Sequence, residues 1–143
     1  MSIEDNKEVV RRFFGAIVQK ARGEIDHVRD YCTPDVTFHT ALLSTAGDHV
    51  DRLHEEIDGW ASAMPDVDLE IRDMLAEGDL VAVHLAAGGT HTGTFAHPAG
   101  PCEPSGAAVE AGVLELFRLR DGRISDIWFY TSLPEAVRAA STA

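Results

Sequence analysis

The sequence predicts an α+β fold in which helices cover one face of a curved sheet. Apolar residues recur at helical spacing up to Met64. From Val67 onward the period drops to two, and Asp121-Gly122 joins the last two alternating runs. The order is three helices with one early strand, then a four-stranded meander, and residues 1–143 read as one domain.

Each element follows from local chemistry. Ser2 with Asp5 three residues on forms a helix start, and Val9, Val10, Phe13, Phe14, Ile17, Val18 and Ala21 continue at helical spacing until Gly23. A short second helix is expected over Asp26–Cys32, ending before Thr33-Pro34 because the residue before proline avoids helical angles. Residues 36–41 alternate as a strand, with Val36 and Phe38 on one side and Thr37 and His39 on the other. Residues 42–48 read as a loop. Val50, Leu53, Ile57, Trp60, Ala61 and Met64 form the next helical stripe, closed by Pro65.

The strand region begins with Val67, Leu69 and Ile71, turns at 77–79, and continues with Val81, Val83 and Leu85 on one face. Gly88-Gly89 predicts a bulge or bend there. The Pro/Gly-rich stretch 96–106 reads as an ordered loop, followed by strands over 108–119 and 123–131 and a last helix from Pro134. Asp121-Gly122 suits a tight two-residue hairpin turn.

Composition removes several function classes. Of 143 residues, 12 are basic and 24 acidic, a formal charge of −12 that repels nucleic-acid phosphates and anionic lipid. Neither nucleic acid nor membrane is an expected partner. No apolar run approaches the ~20 residues of a membrane span, and the charged N-terminus does not resemble a signal peptide, so a cytoplasmic location is the expectation. Cys32 and Cys102 have no paired spacing. No HExxH or paired Cys/His spacing exists for a metal, no phosphate loop or dinucleotide fingerprint occurs, and no serine sits in a GxSxG context. Acid/base groups in an apolar setting remain.

The final hairpin supplies the first candidates. With a two-residue turn and uninterrupted pairing, Arg120 opposes Arg123 and Glu115 opposes Trp128. One face then carries Glu115, Asp126, Trp128 and Tyr130. Glu115 and Asp126 become diagonal neighbours ~7–8 Å apart among aromatic rings. Two carboxyls in a partly dry site cannot both ionise easily, which raises one pKa toward neutrality. Alternatively that face is solvated or meets a second copy, with Arg118, Arg120 and Arg123 neutralising the acids, and a bulge would separate the pair. His39 and His91 each read either as an inward general base or hydrogen-bond donor, or as a solvated histidine. His84 reads as surface or interface, His54 as a residue near a pocket mouth, and His27, His49 and His97 as solvent residues.

The segments NKEVVRRFF, TPDVTFHT, AMPDVDLEI, EGDLVAVHLAAGGTHTG and LELFRLRDGRISDIW occur in this order over residues 6–128. Together they resemble SnoaL-like polyketide cyclases of the nuclear-transport-factor-2-like superfamily, which also includes ketosteroid isomerases and limonene-type epoxide hydrolases. The resemblance implies a cone-shaped barrel with three N-terminal helices packed on a curved, mostly antiparallel sheet and a deep apolar pocket. It further implies a homodimer through the outer sheet face and no cofactor. It also implies ring closure by intramolecular aldol chemistry, with an acid near the end of the last strand. Many such sequences read HWD where this chain has Ile127, Trp128 and Phe129. His39 and His91 match family histidines.

The expected function is therefore a cofactor-independent cyclase or isomerase, classed among isomerases or lyases, acting on a polyketide-type molecule in antibiotic biosynthesis. The expected catalytic residues are His39, His91, Glu115 and Asp126. Phe14, Ile17, Trp60, Trp128 and Tyr130 wall an apolar substrate, and no metal is expected. The alternatives are a limonene-type epoxide hydrolase, for which Arg72 between Asp68 and Asp73 supplies raw materials, and a non-catalytic small-molecule-binding dimer.

Overall fold

The computed structural model describes residues 2–40, 50–97 and 99–142. The loop expected over 42–48 and His49 lie outside the described residues. Helix α1 (Ile3–Ala21) opens with the reciprocal cap its sequence predicts: the Asp5 amide donates to Ser2 Oγ at 3.0 Å and the Ser2 amide to Asp5 Oδ2 at 3.2 Å. The buried positions Val10, Phe13 and Phe14 define its inward stripe. The rings of Phe13, Phe14 and Phe117 meet edge to face with centroids 5.5–5.9 Å apart, which locks the helix onto the sheet.

Strands β1 (Cys32–Thr40), β2 (Asp68–Glu77), β3 (Leu80–Thr90), β6 (Ala108–Arg120) and β7 (Arg123–Thr131) form one sheet in the order β1-β7-β6-β3-β2. β1 lies parallel to β7 and the other pairs are antiparallel. The predicted meander is present, and the early strand extends it by pairing along β7. The sheet does not close into the expected barrel. β1 and β2 end at opposite edges, with α2 (Val50–Ala63) against β1 and α1 against β2. Helices rather than hydrogen bonds therefore fill the gap between the edges.

Three further expectations are corrected. The second helix is a single 3₁₀ turn at Val28–Tyr31, and the third helix of the fold is the C-terminal α3 (Leu133–Thr142), packed against β6. Gly88 and Gly89 make no bulge, since the β3–β6 register runs unbroken to Thr90. They allow close approach instead. A Cβ on Gly88 would lie 2.5 Å from the Val109 carbonyl oxygen, and one on Gly89 would lie 2.8 Å from Asp66 Oδ1. The 96–106 stretch contains a small hairpin of β4 (Phe95–His97) and β5 (Gly100–Cys102). Both cysteines are buried free thiols, and burial pushes the Cys32 thiol up to about 12.

The hairpin between β6 and β7 carries the correction that matters most. The turn forms as predicted, with Asp121 at φ 52° and Gly122 at φ 77° and Arg120 opposite Arg123. Leu119 then pairs with Ile124 but Arg118 pairs with Asp126, so Ser125 is an extra residue on β7. The Ser125 hydroxyl has two acceptors in reach of its one proton, the Arg118 carbonyl at 3.2 Å and Asp126 Oδ2 at 3.1 Å, at the irregularity. From there on every β7 side chain takes the face opposite to the one uninterrupted pairing predicts. Glu115 opposes Phe129, not Trp128.

Candidate active site

The inverted register decides what faces the interior. Between α1, α2 and the inner sheet face lies a cavity of about 70 Å³, walled by Phe14, Ile17 and Val18 of α1, Leu53, Glu56, Ile57 and Trp60 of α2, and Phe38, Leu85, Val113, Glu115 and Phe129 of the sheet. Among the described residues its walls are apolar except for two carboxyl groups, and no Lys, Arg or His lines it. Phe14, Ile17, Trp60 and Glu115, all named from the sequence, are among these lining residues.

Asp126, Trp128 and Tyr130 do not reach this cavity. Ile127 and Phe129 point inward, so their neighbours point to the outer face of the sheet. The expected Glu115–Asp126 pair is thereby split across the two faces, and the Ser125 bulge is the cause. His39 lies on the same outer face as Asp126. Its Nε2 is 3.3 Å from Asp126 Oδ1, and its ring stacks on Trp128 at 4.7 Å and 5°, with the Arg118 guanidinium 5.7 Å from the indole centroid. These side chains form one cluster on the outer face of the sheet.

His91 is fully buried just beyond the end of β3, but it does not line the cavity. Its Nδ1 accepts the Ser105 amide at 3.3 Å and lies 3.1 Å from Ser105 Oγ and 3.4 Å from Ser141 Oγ. The ring ties the 103–107 segment and α3 to the sheet. His97, expected in solvent, has a side chain only 6% exposed, with Nε2 2.7 Å from Glu135 Oε1 and Nδ1 accepting the Ala99 amide. His84 is on the surface, 3.0 Å from Asp73 Oδ2. His54 Nε2 lies 3.7 Å from Asp26 Oδ2 beside the Lys20–Asp26 and Lys20–Asp58 ion pairs, next to the cavity-lining Leu53 and Ile57, and burial holds its pKa below the ordinary value.

The electrostatics of the cavity rest on its two acids. Burial pushes the Glu115 carboxyl up to about 8, and the neighbouring Glu56 pushes in the same direction. The group is therefore largely protonated at neutral pH, a hydrogen-bond donor in an apolar room. Glu56 is also raised by burial, while the Trp60 indole N–H, donating to Glu56 Oε1 at 3.0 Å, and the Arg52 charge favour its ionised form. Trp60 is itself held by stacking on Phe95, with centroids 4.5 Å apart and planes at 14°. Sequence reasoning missed Glu56. The signal was present, because Glu56 falls three residues after Leu53 and four before Trp60, in phase with the apolar stripe of α2.

The family model for SnoaL-like polyketide cyclases matches residues 8–138. The chain belongs to the SnoaL-like polyketide cyclase family. No curated protein sequence matches it. Among solved structures it is similar to IdmH from Streptomyces antibioticus, a candidate polyketide cyclase, with a TM-score of 0.77 at 22% identity over 96% of this chain and 99% of that one. AclR from Streptomyces galilaeus, a candidate hydroxylase, gives 0.78 at 22% identity over 98% and 87%. The epoxide hydrolase/cyclase-like enzyme SalBIII, described for pyran ring formation in polyether salinomycin, gives 0.68 at 20% over 90% and 91%. At these identities the likeness is one of fold.

In this SnoaL-like chain, position 129 faces the cavity and carries phenylalanine, while its partner across the strand pair, Glu115, carries the carboxyl. Glu115 thus stands in the same layer of the sheet as position 129, one strand over. Arg72, offered for hydrolase chemistry, is on edge strand β2, pairing with Glu70 at 3.5 Å and Glu110 at 3.9 Å. It is not among the residues that line the cavity. Among the described residues no group of three or more His, Cys, Asp or Glu is placed to hold a metal ion, and no helix is long and apolar enough to cross a membrane.

Proposed function

We propose that the protein is a cofactor-independent cyclase or isomerase that closes a ring in a polyketide-type small molecule, with Glu115 as its acid/base group. The observation that carries this reading is the Glu115 carboxyl lining an apolar cavity of a SnoaL-like fold, where burial pushes its pKa up to about 8. A ketone oxygen beside Glu115 accepts its hydrogen bond, and the low dielectric strengthens that bond as negative charge builds on the oxygen. Enolisation makes the neighbouring carbon a nucleophile, and apolar walls fold the chain so that a second carbonyl lies within reach. General acid help of this kind contributes ~10²–10⁴-fold. A pocket of about 70 Å³ is small beside the ~300–1,000 Å³ of ligand-filled sites, so lining side chains must move apart to admit substrate.

Family membership and the pyran-forming role described for SalBIII favour ring closure, and a place in antibiotic biosynthesis fits both. The epoxide hydrolase reading lacks its arginine at the cavity. The outer sheet face is proposed as a homodimer contact, since it exposes Leu75, Leu114 and Tyr130 at 72%, 59% and 55%. The test is conversion of a synthetic linear poly-β-ketone thioester, followed by liquid chromatography and mass spectrometry. The wild-type protein should form cyclised product faster than buffer, and Glu115→Gln should slow it by ~10²–10⁴-fold. Equal rates for the two proteins contradict the proposal.

A further inference from the structure

Two carboxyl groups enter the cavity from opposite layers: Glu56 from α2 above and Glu115 from β6 below. A molecule held between helix and sheet therefore meets one acid on each side. We infer that Glu56 is the base that works against Glu115, and that the site takes neutral, enolisable carbonyl compounds and rejects carboxylates and phosphates. The inference rests on the proposed role of Glu115 and adds a second catalytic residue, a positioning residue and a substrate class.

The division of labour follows from the surroundings of each group. Burial raises the pKa of Glu56, but the Trp60 N–H donated to it at 3.0 Å and the Arg52 charge both favour its carboxylate, and Glu115 has neither partner. Burial and the nearby Glu56 charge both keep the proton on Glu115. One proton is thus shared unequally by two acids, which separates a base from an acid in one site. Trp60 is a positioning residue. It sits one helical turn from Glu56, and its ring is fixed against Phe95 of the β4–β5 hairpin.

The proton transfers balance. Glu56 takes the proton from the carbon next to the carbonyl, and that C–H electron pair becomes the C=C bond. The carbonyl π pair moves onto oxygen, which takes the proton of Glu115, leaving a neutral enol, a protonated Glu56 and an ionised Glu115. In ring closure the enol carbon bonds to a second carbonyl carbon. The oxygen of that carbonyl takes the proton from Glu56, and the enol O–H returns its proton to Glu115. Both acids end as they began, and no oxidant or co-reactant is required. An anionic substrate would lose its hydration in a cavity lined by no cation among the described residues and would meet the Glu56 charge, so it is excluded.

The experiment uses cyclohexanone, a neutral one-ring ketone, with exchange of its α-hydrogens for deuterium in D₂O followed by NMR. The wild-type protein should exceed buffer, and Glu56→Gln and Glu115→Gln should each lower the rate by ~10²-fold or more. Glu56→Asp, which keeps the charge but withdraws it, should fall between, and thermal melting verifies that each variant is folded. Trp60→Phe should retain exchange but move its rise to higher pH, because the bond favouring the Glu56 carboxylate is gone; a purely structural role would leave that midpoint in place. Cyclohexanecarboxylate should not inhibit, whereas cyclohexanol should. Exchange at the wild-type rate in folded Glu56→Gln and Glu56→Asp, with Glu115→Gln impaired, overturns the role of Glu56 and leaves that of Glu115 standing. Wild-type rates in both glutamine variants, or no exchange by the wild-type protein, overturn both, and inhibition by the carboxylate overturns the substrate class.

Discussion

Glu115 is 8% exposed in a wall of apolar side chains, and its proton links the site to stability. Its folded-state pKa of about 8 exceeds the ordinary 4.5, so the folded protein holds a proton that the unfolded chain releases. The associated stability is complete below pH 4.5 and is lost as pH rises through 8, at ~1.4 kcal/mol per pH unit between the two values. Glu115→Gln removes this slope. Melted side by side, the variant should lie above wild type at pH 8, and the gap should close toward pH 5; a constant gap contradicts the assignment. Glutamate 115 was legible as a candidate because a carboxyl alternated with Val113 and Phe117 on one strand face. Glu56 was passed over because the stripe of α2 was read from its apolar residues alone, although the carboxyl shares the phase of Leu53 and Trp60.

At the scale of elements, α1, the α2 stripe, the β2–β3 turn and the Asp-Gly hairpin all formed from signals that act over a few residues: caps, periods and turn chemistry. The bulge at Ser125 did not announce itself. Isoleucine 124, Ser125 and Asp126 alternate acceptably without it, and only the tertiary demand that Ile127 and Phe129 be inside selects the extra residue. One residue moved Trp128, Tyr130 and Asp126 out of the expected pocket. Ser125→Ala removes a hydroxyl bond to the Arg118 carbonyl while leaving the register dictated by the apolar residues. Urea unfolding should show a loss of ~0.5–1.5 kcal/mol with an unchanged slope. A changed slope would mean that the hydroxyl, not the apolar pattern, sets the pairing.

For the whole molecule, the helices and curved sheet were readable because five segments in family order span nearly the full chain, and the family model matches residues 8–138. Sheet closure was not readable, since it depends on how two edges meet across the helices. The proposed dimer belongs to this scale. Sedimentation should give twice the 15.5 kDa of one chain, and Leu114→Lys, a charge placed in the exposed apolar centre of the outer face, should give single chains without loss of folding. A wild-type protein that sediments as one chain contradicts the dimer and leaves the cavity chemistry untouched.

One glutamate in the cavity, Glu115, is expected to keep its proton at neutral pH. Carbon-13 NMR of the glutamate side-chain carboxyls, followed from acid to alkaline pH in wild type and Glu115→Gln, tests it directly. One resonance titrating near pH 8, and missing from the variant, is the predicted result. A spectrum in which every glutamate titrates below about pH 5 would contradict it.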